Sequence, residues 1–426
     1  MYRSFLLAPA LAASCIVSAQ QVVHQVLVLN EGYYDNTAHV QVVPVSLGSY
    51  DPSSGIYQTV ATINGARFGS DVEVDGNVIY VAADTLLLKF DANNYAPLGQ
   101  TVVHGIRKIA IWNSEVLITR GELGGLPHYF EARDKNTLAL DYAITPLDGL
   151  LYSAEDVQVA DNKAYIAVNN GFAYPNYTGL IGVIDLVNGT YGSEIDLGPD
   201  GLNPENLMVT ADAIYALNNK DFSGSSISKI GRTDATLHFT HNVAMNSGCG
   251  ASALVADRIC YQEYALNKVA RFDVATDQVL DTLQDPPSLY GLIEDPINQV
   301  MYGTTTDFFS TGALNVMDYA GHVMSTVPVS VSPGHLALDV RMSTGISETV
   351  GDGMRVYPNP AQDEIFITLV NATANARITI ADASGRVVTD ELRNTTGTVR
   401  MNVSALASGI YTVREEGVSA VRFAKR

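Results

Sequence analysis

The sequence predicts an all-β chain: a seven-bladed β-propeller followed by a small immunoglobulin-like β-sandwich. Three observations carry that expectation. A unit of strand, tight polar turn and second strand recurs between residues 71 and 304. Two incomplete units at the ends of that region complement each other. The last 73 residues form a separate run of short strands.

The repeat is read from "DVEVDGNVIYVA" (71–82), "KIAIWNSEVLITR" (108–120), "DVQVADNKAYIAV" (156–168), "NLMVTADAIYAL" (206–217), "SALVADRICYQ" (252–262) and "GLIEDPINQVMYGT" (291–304). With Tyr80, Ile118, Tyr165, Tyr215, Cys260 and Tyr302 taken as equivalent, the spacings are 38, 47, 50, 45 and 42 residues. Each unit continues into a third strand, such as "IGVIDLVNG", and a fourth, such as "YGSEIDLG". Units of this length with four short strands indicate propeller blades.

Six units are counted this way, and the ends supply a seventh. "HLALDVR" (335–341) reads as a first strand with no second. "QVLVLNEG" and "AHVQVVPVSLGSYDP" read as second and third strands with no first, separated by "NEGYYDN" (30–36). Joining residues near 335–341 to 22–60 closes the ring and leaves no unpaired sheet edge. An open sandwich would explain neither the period nor the complementary ends.

The flanking segments divide the chain. Residues 1–20 read as a secretory signal, with an apolar stretch from Phe5 to Ala13 and small residues for cleavage near Ala19 or Gln20. Cys15 offers a loose lipobox as the alternative. The propeller is expected over 21–342, a Ser/Thr/Gly linker over 343–353, and alternating strands over 354–426. Charge is uneven: residues 1–353 carry a net −22 and residues 354–426 a net +2. An acidic body repels phosphate backbones, so no nucleic acid partner is expected. Of the two cysteines after the signal, Cys260 should lie opposite about Ala253 on a hairpin. Cys249 is then out of register for a disulfide, so two free, mostly buried thiols are expected.

In a propeller the loops from second to third strand share a face with the connections between blades. All six such loops carry at least one aromatic residue, whereas the turns of the opposite face carry one in total, Trp112. Tyr33, Tyr34, Phe172, Tyr174, Tyr177, Phe308 and Phe309 are therefore expected to supply flat contact area for a ligand. Arg107, Lys108, Asn169, Asn170, Asn218 and Asn219 are expected to supply directional hydrogen bonds. Catalytic motifs are scarce, with no G-x-S-x-G, H-E-x-x-H, paired CxxC or phosphate loop. No cofactor is indicated. The enzymatic alternative is a metal-dependent lactonase or lyase on the axis, with Glu31, Glu155, Glu205 and Asn206 converging on a divalent ion. An adhesion or matrix protein is the third class, with no residue specific to it.

Two resemblances add to this reading. "VYPNPAQDEIFI" (356–367), "ITIADASGRVV" (378–388) and "LASGIYTVREE" (406–416) resemble the C-terminal sorting domain of type IX secretion in Bacteroidota. That resemblance implies passage across the outer membrane by the type IX machinery and a secreted or cell-surface location. "VLVLNEGYY" (26–34) and "SYDPSSG" (49–55) resemble the start of the YncE-like surface propellers of Bacteroidota. That group includes surface proteins that capture corrinoids and pass them to an outer-membrane transporter, so the resemblance implies a binding module for a bulky nutrient.

Overall fold

The computed structural model describes residues 20–220, 222–247, 250–343, 355–368, 376–393, 398–415 and 420–426. The signal segment through residue 19, Cys15, Cys249 and the linker from residue 344 lie outside the described residues. Seven four-stranded antiparallel sheets form the propeller blades. Blades 1 to 6 occupy residues 69–102, 106–144, 154–196, 204–243, 252–283 and 291–331. Blade 7 takes its innermost strand from Pro333–Ser343 and its outer strands from Gln20–Asn30, Val45–Asp51 and Ile56–Ile63. The N-terminal strand is thus hydrogen-bonded to the last strand of the ring, and the closure expected from the two half-units is present.

The third strand of blade 7 is shorter than the sequence suggests. Val40–Val43 does not join it but pairs with Tyr33–Asp35 in a separate two-stranded hairpin, with Tyr33 opposite Val43. Pro44, which has no N–H to donate, separates the hairpin from the strand that starts at Val45. "NEGYYDN" therefore begins an inserted hairpin and is not a plain turn.

Packing explains the sequence pattern. One buried apolar cluster lies between each pair of neighbouring blades, as where Leu27, Leu29 and Leu47 of blade 7 meet Val72, Ile79 and Val81 of blade 1. Middle strands are covered on both faces, so they read as continuous apolar runs and not as alternation. The recurring "IY" tyrosine buries its ring, and at Tyr80, Tyr215 and Tyr302 its hydroxyl reaches a polar partner. Tyr80 and Tyr215 donate to backbone carbonyls of the next blade, at Lys135 (3.3 Å) and Val274 (3.1 Å). A second periodic device sits at the end of the third strand in six of the seven blades. Asp51, Asp91, Asp134, Asp185, Asp273 and Asp318 each accept a backbone N–H from two residues on, fixing the turn into the fourth strand.

The C-terminal strands form a unit of their own. A three-stranded sheet (Arg355–Tyr357, Glu364–Thr368, Thr398–Asn402) and a four-stranded sheet (Ala376–Asp382, Val387–Arg393, Gly409–Glu415, Val421–Lys425) share one core. Ile365, Ile367 and Val399 from the first meet Ile378, Ile380, Val413 and Phe423 from the second, which makes the unit a β-sandwich.

Candidate binding site at the axial mouth

The innermost strands of blades 1 to 4 each start with a break in register: between Gly69 and Asp71, Ile106 and Ile109, Ala154 and Val157, and Pro204 and Asn206. A bulge of this kind re-aims the side chains inside it. Those side chains are Ser70, Arg107, Lys108, Glu155, Asp156 and Glu205. All but Asp156 line a cavity of about 440 Å³ at one mouth of the axis.

Charges meet there in pairs drawn from different blades. Arg107 holds Glu155 through two hydrogen bonds, 2.9 and 2.6 Å, and its guanidinium lies 5.4 Å from the centre of the Phe172 ring. Lys108 is 3.6 Å from Asp71 and donates to the Ser70 carbonyl at 3.1 Å. It also lies 3.0 Å from His335 Nδ1. An ammonium only donates, so Nδ1 is the acceptor there and His335 carries its hydrogen on Nε2, which faces Glu31 at 3.8 Å. Tyr290 donates to Glu31 at 2.5 Å. Gly334 keeps this corner open, since a Cβ there would stand 2.2 Å from the Glu31 carboxylate. Asn219 and Asn203 donate to Glu205 at 3.1 and 3.4 Å.

Burial dominates the titration of these groups. It lifts Glu31 and Glu205 to about 7, against the opposing effects of their hydrogen-bond donors and of Arg107. It also holds His335 well below its usual range, helped by the positive charges of Lys108 and Arg107. Lys108, His335, Tyr290 and Asn206 also border a second chamber of about 600 Å³ further along the axis. Its wall includes Asp71, Glu73 and Asp156, and burial raises Glu73 to about 8 and Asp156 to about 7.

Of the residues expected to bind, Arg107, Lys108, Asn169, Phe172 and Tyr177 line the mouth cavity, and so do Glu31, Glu155, Glu205 and Asn206. Others stand elsewhere. Asn218 is buried inside blade 4, donating to Ser226 and Ser228. Asn219 braces Glu205 from behind. Asn170 ties its own loop together through the Asn176 carbonyl. Tyr34 sits in the inserted hairpin, and Tyr33 packs edge-on against Phe309 at 5.3 Å. Phe308 packs edge-on against Tyr290 at 5.0 Å, and Tyr174 against Tyr177 at 6.0 Å. Tyr174, Phe308 and Phe309 are exposed.

Sequence reading missed Phe68, Ser70, Asn203, Phe222, Tyr290 and His335, all of which line the cavity. Five of the six lie in connections between blades or at the start of an innermost strand, as do Arg107 and Glu155. Position in the repeat is the signal that brings these residues to the axis, as it does Lys108 and Glu205. Among the described residues, no three of His, Cys, Asp and Glu converge as a metal's ligand set.

Residues 355–425 match the secretion system C-terminal sorting domain. The tail therefore marks a protein carried by type IX secretion to the cell surface or the extracellular space, and it implies interaction with that machinery. No curated protein matches the chain in sequence. Among solved structures, the chain is similar to hydrazine synthase of Kuenenia stuttgartiensis, with 12% identity over 66% of this chain and 99% of that one, at a TM-score of 0.52. It is also similar to the extracellular domain of a protein described as a one-component system of B. thetaiotaomicron. There the identity is 10%, over 94% of this chain and 57% of that one, and the TM-score 0.52. At such identities the likeness shows the fold alone.

Proposed function

We propose that the propeller is a ligand-binding module, taking up a bulky, partly flat molecule at its axial mouth outside the cell. A corrinoid or a comparable cofactor-like nutrient, handed on to an outer-membrane transporter, is the ligand class that the sequence resemblance suggests. The observation that carries the reading is the composition of the mouth: Phe172, Tyr177 and Phe222 form an aromatic wall beside charged groups preorganised on four blades. A cavity of about 440 Å³ admits one edge of such a molecule, and the exposed rings of Tyr174, Phe308 and Phe309 offer area for the remainder. A lactonase or lyase is favoured less: Glu155 is held by Arg107, and among the described residues no three of His, Cys, Asp and Glu converge as a metal's ligand set. Spectral titration or calorimetry of the full chain with cobalamin, cobinamide and haem tests the reading. Binding weakened at least tenfold by Phe172→Ala supports it; no binding of any of the three returns the weight to an adhesion role.

A further inference from the structure

We infer that the part of the ligand entering the mouth cavity is an organic cation: an ammonium or comparable positive group carried on a flat apolar body. The inference rests on the reading of the mouth as a binding site and adds the charge of what it binds.

The first support is the balance of charge facing the cavity. Three carboxylates line it, on Glu31, Glu155 and Glu205, against Arg107 and Lys108. Arg107 is committed to Glu155 through both of its hydrogen bonds, and Lys108 leans away towards Asp71 and the Ser70 carbonyl. Glu31 and Glu205 are left with neutral hydrogen-bond donors, a tyrosine hydroxyl and two amides, and no close guanidinium or ammonium. His335, the remaining titratable neighbour of Glu31, stays neutral in this setting. Buried carboxyls with no cation in contact hold protons in its place, and a ligand that brings a positive group would replace those protons.

The second support is the aromatic wall of the same cavity. Tyr177 meets Phe222 edge-on at 6.0 Å, and Phe172 already accepts a cation of the chain itself, the Arg107 guanidinium. Aromatic faces beside carboxylates recognise organic cations, since the ring quadrupole and the full negative charge act in the same sense. The third support is Ser70, which is 6% exposed and lines the cavity, and whose hydroxyl has no hydrogen-bond partner. A hydroxyl can accept from an N–H or donate to an oxygen, so it marks an unmet polar contact at the cavity and not the charge of the ligand.

A ligand of this charge would displace protons. Burial lifts both glutamates to about 7 in the empty mouth, so at pH 6 most of the population is protonated and at pH 8 most is ionised. A cation binds the ionised form, so its affinity should rise over that interval; Arg107, Lys108 and Glu155 face the same cavity, and burial keeps His335 neutral.

The test uses three probes with one ring system and different charge: tryptamine, tryptophol and indole-3-acetate, titrated into the full chain by calorimetry or ligand-observed NMR. Tryptamine should bind at least tenfold tighter than tryptophol, indole-3-acetate should be weakest, and the preference should grow several-fold from pH 6 to 8. Glu205→Gln should erase most of that preference. Glu31→Gln serves as the second variant if the first loses its cooperative melting transition. Equal affinities, tightest binding of indole-3-acetate, or no binding of any probe at millimolar concentration would overturn the inference. Equal affinities leave the binding site standing and remove only its charge preference. Failure of these probes together with cobalamin, cobinamide and haem removes the binding reading as well.

Discussion

Arg107 of blade 2 closes on Glu155 of blade 3 with two hydrogen bonds of 2.9 and 2.6 Å, so two neighbouring blades are joined at the axis by a bidentate ion pair. The side chains retain 27% and 15% exposure, which puts the pair between the surface and buried limits. Arg107→Met leaves Glu155 unpaired and should cost about 2 kcal/mol in urea denaturation, between the ~1 of exposed pairs and the ~4 of broken buried ones. The double replacement Arg107→Met with Glu155→Leu should recover more than half of that. A single variant as stable as wild type would mean that the blades hold the pair and not the reverse.

Stability should fall as pH rises. Burial lifts Glu31, Glu205 and Asp156 to about 7 and Glu73 to about 8. The unfolded chain releases these protons near pH 4, so the folded state holds the extra protons between about pH 4 and 8. The stabilisation is complete below the unfolded values and is lost as pH rises through the folded ones. Melting should therefore come several degrees lower at pH 8.5 than at pH 5.5, and Glu73→Gln should flatten the profile. A curve that rises with pH would contradict the burial of these carboxyls.

The aromatic residues should divide into two groups. Phe172 lines the mouth cavity, whereas Tyr33 spends its ring on Phe309. Phe172→Ala should weaken ligand binding tenfold or more. Tyr33→Ala should weaken it less than threefold, while costing about 1 kcal/mol of rim packing. The reverse order would move the binding surface from the cavity to the rim.

Cys260 should resist thiol reagents until the propeller unfolds. It is buried opposite Ala253, as its hairpin register requires, and burial pushes its thiol up to about 12. Alkylation with iodoacetamide followed by peptide mapping should leave the Cys260 peptide unmodified in buffer and modified in denaturant. Rapid modification of the native protein would show local opening of blade 5.

Removing residues 354–426 should abolish delivery to the surface or medium and leave the propeller in the periplasm. Cell fractionation reads the outcome directly. Truncated protein that still reaches the outside would show that another segment acts as the address.

The blade repeat and its closure were determined locally, which is why both could be read without a structure. Short apolar middle strands, polar turns and a tyrosine that buries its ring recur because every blade solves the same packing problem against its neighbour. The core of the tail follows from the alternation of its own strands, and its sorting motif is a contiguous string. The site divides differently. That Arg107, Glu155 and Glu205 face the axis follows from their equivalent places at the starts of innermost strands. What they meet there was decided only in three dimensions. Tyr290 reaches Glu31 across 259 residues of sequence, and Lys108 reaches His335 across 227. No pattern along the chain encodes such partners; ring closure and the bulges that turn these side chains inward bring them together. The same holds for Asn218, which sequence placed in a binding loop and the fold buried in blade 4. Its side chain extends from the last residue of a strand, and a shift of one residue carries a side chain to the opposite face of a sheet.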